Sequence, residues 1–197
     1  MTGIDRKLGG PHVLLMGPPG VGKTLWARAA RDKISLEDFS AYEPDAYAIQ
    51  SLARLPGWKE AIVPFRAPHH SVSVAGLRGT LRRGWELIPG ELSRAHGGVL
   101  LLDDVGEFSR EARQLVLDVS RSGEVIVSGS RGALRVPAMF RLIATTLPCP
   151  CGWFSVEEAT QTCRCTEGMR ARYWAGVAPF EQVCEVVRFP PPRASAK

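Results

Sequence analysis

The chain has no apolar run approaching the ~20 residues needed to span a bilayer. Its first ten residues, MTGIDRKLGG, lack the apolar core of a signal peptide. Both absences predict a cytoplasmic protein with no membrane partner. Five cysteines in such a chain argue against a disulfide framework and for metal binding, catalysis or plain burial. Internal repeats and low-complexity segments are absent as well. Charge of one sign is not in strong excess: 25 basic and 20 acidic residues leave +5. That surplus is compatible with polyanions such as ATP or DNA, and equally with an ordinary solvated surface. What remains is a globular composition, 45% hydrophobic and 23% charged, in 197 residues, enough for one well-buried domain.

Long apolar strands alternate with helical stretches, which predicts an α/β domain with a mostly parallel sheet. Val13 to Met16 reads as a strand, Leu25 to Lys33 as a helix, and residues 35 to 60 show no clean period. Gly98 to Asp104 and Phe140 to Thr146 read as buried strands, and a last strand is expected near Val183 to Phe189. Ser109 is the expected cap of a helix running to Arg121, with Glu111 favouring its positive end. The stretch EVIVSGSRGALRVP alternates and breaks at Gly129 to Gly132, a hairpin signal. One domain over 1–190 is expected, with a Cys-rich insert at 148–168 and a frayed tail at 191–197.

GPPGVGKT, residues Gly17, Pro18, Pro19, Gly20, Val21, Gly22, Lys23 and Thr24, matches the phosphate-binding P-loop, and it stands between a strand and a helix. Its glycines let backbone N–H groups turn inward around phosphates, and the helix N-terminus adds favourable partial charge. Lys23 is placed to reach the β and γ phosphates, and Thr24 to ligate Mg. In GVLLLDDVGEF, four apolar residues run into Asp103 and Asp104. Asp103 is the expected Mg partner and Asp104 the candidate catalytic residue that polarises the attacking water. No guanine-reading motif is visible, so ATP is the expected nucleotide.

Three further stretches, PFRAPHHSVSVAGLRG, PGELSRAHGGVLLLDDVGEF and FRLIATTLPCPCG, carry a resemblance. Over about residues 10 to 190 the chain resembles the magnesium-chelatase I-subunit-like AAA+ ATPase domain, in its ComM-type subgroup of hexameric branch-migration helicases. The resemblance implies a P-loop NTPase (AAA+) three-layer sandwich with the acidic strand beside the P-loop strand. It also implies a β-hairpin insert, and homo- or hetero-oligomers of AAA+ subunits. Residues 64 to 90 and 124 to 137 match inserts that face the ring pore or the substrate, which in the subgroup is DNA. Arg78, Arg82, Arg83, Arg131 and Arg135 lie in or beside them, as phosphate contacts or as solvated arginines. His69 and His70 would point apart on an extended chain, which favours a structural or interface role over a shared metal. A helical lid domain with a sensor Arg, and a protease-like N-terminal domain, are also implied; neither falls within these 197 residues.

Relatives carry Asp-Glu where this chain has Asp103-Asp104, and a polar Asn where it has Leu147. Gln182 and Val183 stand at the Asp-Arg positions whose Arg acts across a subunit interface. An arginine finger supplies about 10³ to 10⁵ in rate. Nucleotide binding is therefore expected to be retained and turnover weakened, with Arg141, Arg170 and Arg172 as candidate replacements for the finger. Cys149, Cys151, Cys163 and Cys165 form C-x-C, eleven residues, C-x-C. Four thiolates suit structural zinc; free buried thiols, a redox pair and an iron–sulfur cluster stay open, while Cys184 reads as core. Three functions follow: an ATP-binding partner in DNA processing with weak hydrolysis, an active motor completed by another subunit, or a non-enzymatic zinc-containing binding module. A decayed fragment is a fourth reading, opposed by the retained Gly17, Lys23, Thr24 and Asp103.

Overall fold

A computed structural model describes residues 10–32, 36–53, 63–83, 85–130, 132–156 and 162–190. Lys33, Arg131, residues 157–161 of the Cys-rich insert and the expected tail 191–197 lie outside them. In chain order the elements are β1 (Val13–Met16), α1 (Lys23–Arg31), α2 (Leu36–Ser40), α3 (Glu43–Leu52), β2 (Phe65–Arg66) and α4 (Val74–Arg78). Then come β3 (Gly79–Leu81), β4 (Leu87–Pro89), α5 (Glu91–Arg94), β5 (Val99–Leu102) and a 3-10 turn, Val105–Glu107. After them stand α6 (Arg110–Ser122), β6 (Glu124–Gly129), β7 (Gly132–Pro137), β8 (Arg141–Thr146), α7 (Glu167–Glu181) and β9 (Glu185–Arg188).

The central sheet has five parallel strands in the order β2-β5-β8-β1-β9. Side chains alternate between its faces, and the core divides accordingly. Val13, Leu15, Val99, Leu101 and Ile143 pack with Ala27 and Ala30 of α1 and Phe39 of α2. Leu14, Leu100, Leu102, Leu142 and Ala144 pack with Ala112, Val116 and Leu117 of α6 and Val177 and Phe180 of α7. Helices on both faces of the parallel sheet make the three-layer sandwich expected of a P-loop NTPase.

The acidic strand is not beside the P-loop strand, contrary to the expectation. β8 lies between them, pairing with β1 on one side and β5 on the other. Apolar patterning specifies that each strand is buried, but all three read alike, so their order depends on which crossover packs where. The ambiguous stretch at 35–60 contains α2 and α3. α7 is an addition to the sequence reading; it begins at Glu167, inside the expected insert, capped by Thr166, whose hydroxyl accepts from the Met169 N–H. Ser109 caps α6 as expected, its hydroxyl accepting from the Ala112 N–H at 3.1 Å. The β6–β7 hairpin forms with Val125 and Val127 inward and Ile126 outward. It packs on the small β3–β4 hairpin, where Leu81 lies against Gly129 and Trp85 against Gly132.

Candidate functional site

The P-loop leaves β1 at its C-terminal end and enters α1 at Lys23. Gly20 (φ 78°) and Gly22 (φ 88°) hold left-handed conformations that a side chain disfavours. Gly17 is required for another reason: a Cβ there would meet the Phe189 Cβ beyond β9 at 2.8 Å. Pro18 is buried, while Pro19 and Gly20 are exposed and Val21 is half-buried. The Lys23 ammonium donates to the carbonyls of Gly17 and Pro18, both at 2.8 Å, and so closes the loop on itself. Burial lowers its pKa, and the charges of Asp104 and Asp103 partly offset that.

Thr24, on the first turn of α1, donates to Asp103 at 3.1 Å from each carboxylate oxygen. A hydroxyl and a carboxylate thus converge, the hard oxygen donors that suit Mg. Thr145 on β8 was not foreseen. Its hydroxyl donates to Asp103 Oδ1 at 2.7 Å and accepts from the Asp104 N–H at 2.8 Å. That pairing is possible because β8 separates β1 from β5; the intervening strand brings its own polar end to both acids. Asp104 is half-buried with φ 56°, left-handed for a residue with a side chain. Burial raises its pKa and Glu107 adds to this, while the Tyr173 hydrogen bond and Lys23 oppose it.

These groups line one cavity of about 490 Å³ together with Arg28, Ala67, Pro68, His69, His70 and Leu147. The chain around the histidines is turned, not extended, and their ring centroids lie 4.0 Å apart. They do not point apart as expected. The His69 Nδ1 lies 2.8 Å from the Ser71 hydroxyl, and among the described residues no metal-ligand group of three includes a histidine. Arg28, one turn beyond Thr24, was legible only as helical spacing. Leu147 lines the cavity at the position where the resemblance places a polar Asn, and Thr146 bonds to Tyr173, hydroxyl to hydroxyl at 2.8 Å.

The candidate replacement fingers separate. Arg141 starts the central strand β8, at the opposite end of the strands from the P-loop, is buried, and donates to the Pro11 carbonyl at 3.1 Å. Burial lowers its pKa, and six strand residues span roughly 20 Å, so it does not reach the site. Arg170 donates to the Cys165 carbonyl at 2.6 Å and lies over the Phe154 ring. Arg172 lines a separate cleft with Glu107 and Met169. Gln182 and Val183, between α7 and β9, lie beside the start of β1, at the opposite end of the strands from the P-loop. Of the arginines expected on the inserts, Arg82 and Arg83 are in the β3–β4 connection and Arg135 on β7 pairs with Glu124.

The sulfurs of Cys149, Cys151, Cys163 and Cys165 all lie within 4.8 Å of one another, and none of the five cysteines is in a disulfide. Separations of 3.3, 3.8 and 3.6 Å among the first three are close to the about 3.8 Å edge of a tetrahedral zinc–thiolate site. At Cys151, burial raises the pKa, but hydrogen bonds from the Arg164 and Trp153 backbones and from neighbouring thiols bring it down to about 6. Cys184 is buried in the core, as expected. The insert touches the P-loop: a Cβ on Gly152 would meet Pro19 at 2.8 Å.

A family model described as magnesium chelatase, subunit ChlI, matches residues 7–181. YifB of Escherichia coli (strain K12) is 37% identical over 170 residues, covering 84% of this chain and 31% of that protein. The competence protein ComM of Haemophilus influenzae is 36% identical over 149 residues, 73% of this chain and 28% of that protein. The chain thus spans less than a third of the length of these relatives. Among solved structures, NtrX from Brucella abortus superposes with a TM-score of 0.56 at 24% identity, covering 95% of this chain and 35% of that one. That likeness shows the P-loop fold. No helix among the described residues is long and apolar enough to cross a membrane. With the P-loop motif and the family match in agreement, the chain belongs to the magnesium chelatase ChlI-subunit family, as a ComM-type AAA+ domain.

Proposed function

We propose that this domain binds Mg-ATP, hydrolyses it weakly, and serves as a nucleotide-dependent partner in DNA processing. The observation that carries the binding half is the convergence of Lys23, Thr24 and Asp103 on one cavity, with Thr24 and Asp103 3.1 Å apart. Weak hydrolysis follows from the same cavity's other wall. Leu147 presents an apolar side chain there, Asp104 is one methylene shorter than Glu, and Gln182-Val183 offer a neighbouring subunit no guanidinium. The four-cysteine cluster would hold structural zinc, tying Cys149 and Cys151 to Cys163 and Cys165 beside the Gly152–Pro19 contact. One relative named for competence, and arginines on the paired hairpins, support DNA as the partner.

Titration with a fluorescent ATP analogue, with and without Mg, tests the binding half. Wild type should bind in a Mg-dependent manner and Lys23→Ala should bind at least tenfold more weakly. Equal binding with and without Mg, or by both proteins, would sink the reading. Fast steady turnover by the isolated chain would instead favour an active motor.

A further inference from the structure

Tyr173 belongs to no motif singled out above, yet it reaches the acidic pair from α7. Its phenol oxygen lies 2.8 Å from the Thr146 hydroxyl, accepts from the Leu147 N–H at 3.2 Å, and donates to Asp104 Oδ1 at 3.3 Å. A phenol has one O–H and two acceptor sites. With its proton on Asp104, it takes Leu147 N–H and Thr146 O–H and is fully satisfied. The geometry points to Tyr173 as the positioning residue of the water-polarising carboxylate, supplying from a helix the polar contact that the side chain at 147 does not make.

The placement is rigid. The Tyr173 ring lies so close to Gly106 that a Cβ there would approach it to 2.3 Å. Arg113 donates to the carbonyls of Gly106 and Phe108 at 3.0 and 2.8 Å, and it presses on Gly176 of α7. The 3-10 turn after Asp104 is therefore gripped by α6 and α7 together. Asp104 needs such a grip, because its left-handed backbone (φ 56°) is disfavoured for a residue with a side chain. With Oδ1 held by the phenol, Oδ2 is left to orient a water. In hydrolysis the water oxygen bonds to the γ-phosphorus, and the bond to the β–γ bridging oxygen breaks with its electron pair left on ADP. One water proton stays on the new phosphate and the other leaves past Oδ2 to solvent.

This inference rests on the Mg-ATP reading, so the test measures binding and turnover separately. Single-turnover hydrolysis with protein in excess, at saturating Mg-ATP, is compared among wild type, Tyr173→Phe, Leu147→Asn and the double variant. Fluorescent-ATP affinity and thermal melting are measured on each. Losing one hydrogen bond to a carboxylate should lower the rate of Tyr173→Phe roughly 10- to 100-fold, with affinity within twofold of wild type. The double variant should recover most of that loss, because an Asn at 147 restores a polar contact. A rate within twofold of wild type, a loss matched by an equal loss of affinity, no recovery in the double variant, or no hydrolysis by wild type would each overturn the role of Tyr173. Failure of Mg-dependent binding in wild type would instead overturn the reading beneath it.

Discussion

Single residues at this site are defined by what holds them. Asp103 accepts from Thr24 and Thr145, and Asp104 is held at its N–H by Thr145 and at its carboxylate by Tyr173. The phenol of Tyr173 titrates at about 12, raised mainly by burial, with the charge of Asp104 adding and hydrogen bonds from Thr146 and Leu147 opposing. An unfolded chain would release that proton near pH 10. Between pH 10 and about 12 the folded state thus binds more protons, and stability falls as pH rises. The contribution is fully present below pH 10. Chemical denaturation across that window should show wild type losing more stability than Tyr173→Phe. Parallel curves for the two proteins would contradict this account of the phenol's surroundings.

At the scale of elements, the two hairpins form one layer over the α6–α7 face of the sheet. Leu81 and Trp85 of the first pack on the tip glycines of the second, which puts Arg82, Arg83 and Arg135 on adjoining hairpins. If that layer contacts DNA phosphates, replacing the three arginines by Ala should weaken binding to all sequences alike. The slope of log affinity against log salt should fall by about 2 to 3, at about 0.7 to 0.9 per phosphate contact. An unchanged slope would place the DNA contact elsewhere.

Across the whole molecule, the Cys-rich insert connects parts that the sheet does not. It abuts the P-loop through Gly152 and Pro19, and α7 through Arg170, which bonds to Cys165 and covers Phe154. A metal at the four thiols would stabilise both ends. Protein purified without added metal should carry about one zinc per chain, and a strong chelator should lower the melting temperature. A loss of about 3 kcal/mol would lower it by about 6 to 12 °C in a chain of this size. Metal content far below one per chain would discard the site, whatever the melting temperature does.

The sequence by itself determined the local features whose physics is local. The Gly20 and Gly22 turns, the Ser109 cap, the Gly129–Gly132 hairpin break and the apolar runs of β1, β5 and β8 all depend on neighbours a few residues away. Lys23, Thr24 and Asp103 were legible for the same reason, each lying at the end of such an element. Only the tertiary structure decided that β8 separates β1 from β5, because three buried strands with the same apolar pattern do not specify their own order. That order aims Thr145 at Asp103 and brings α7 over the turn after Asp104. The polar contact at the water side of the site comes from Tyr173, a residue 69 positions from Asp104. No local pattern announces such a contact, since it exists only where two distant elements pack.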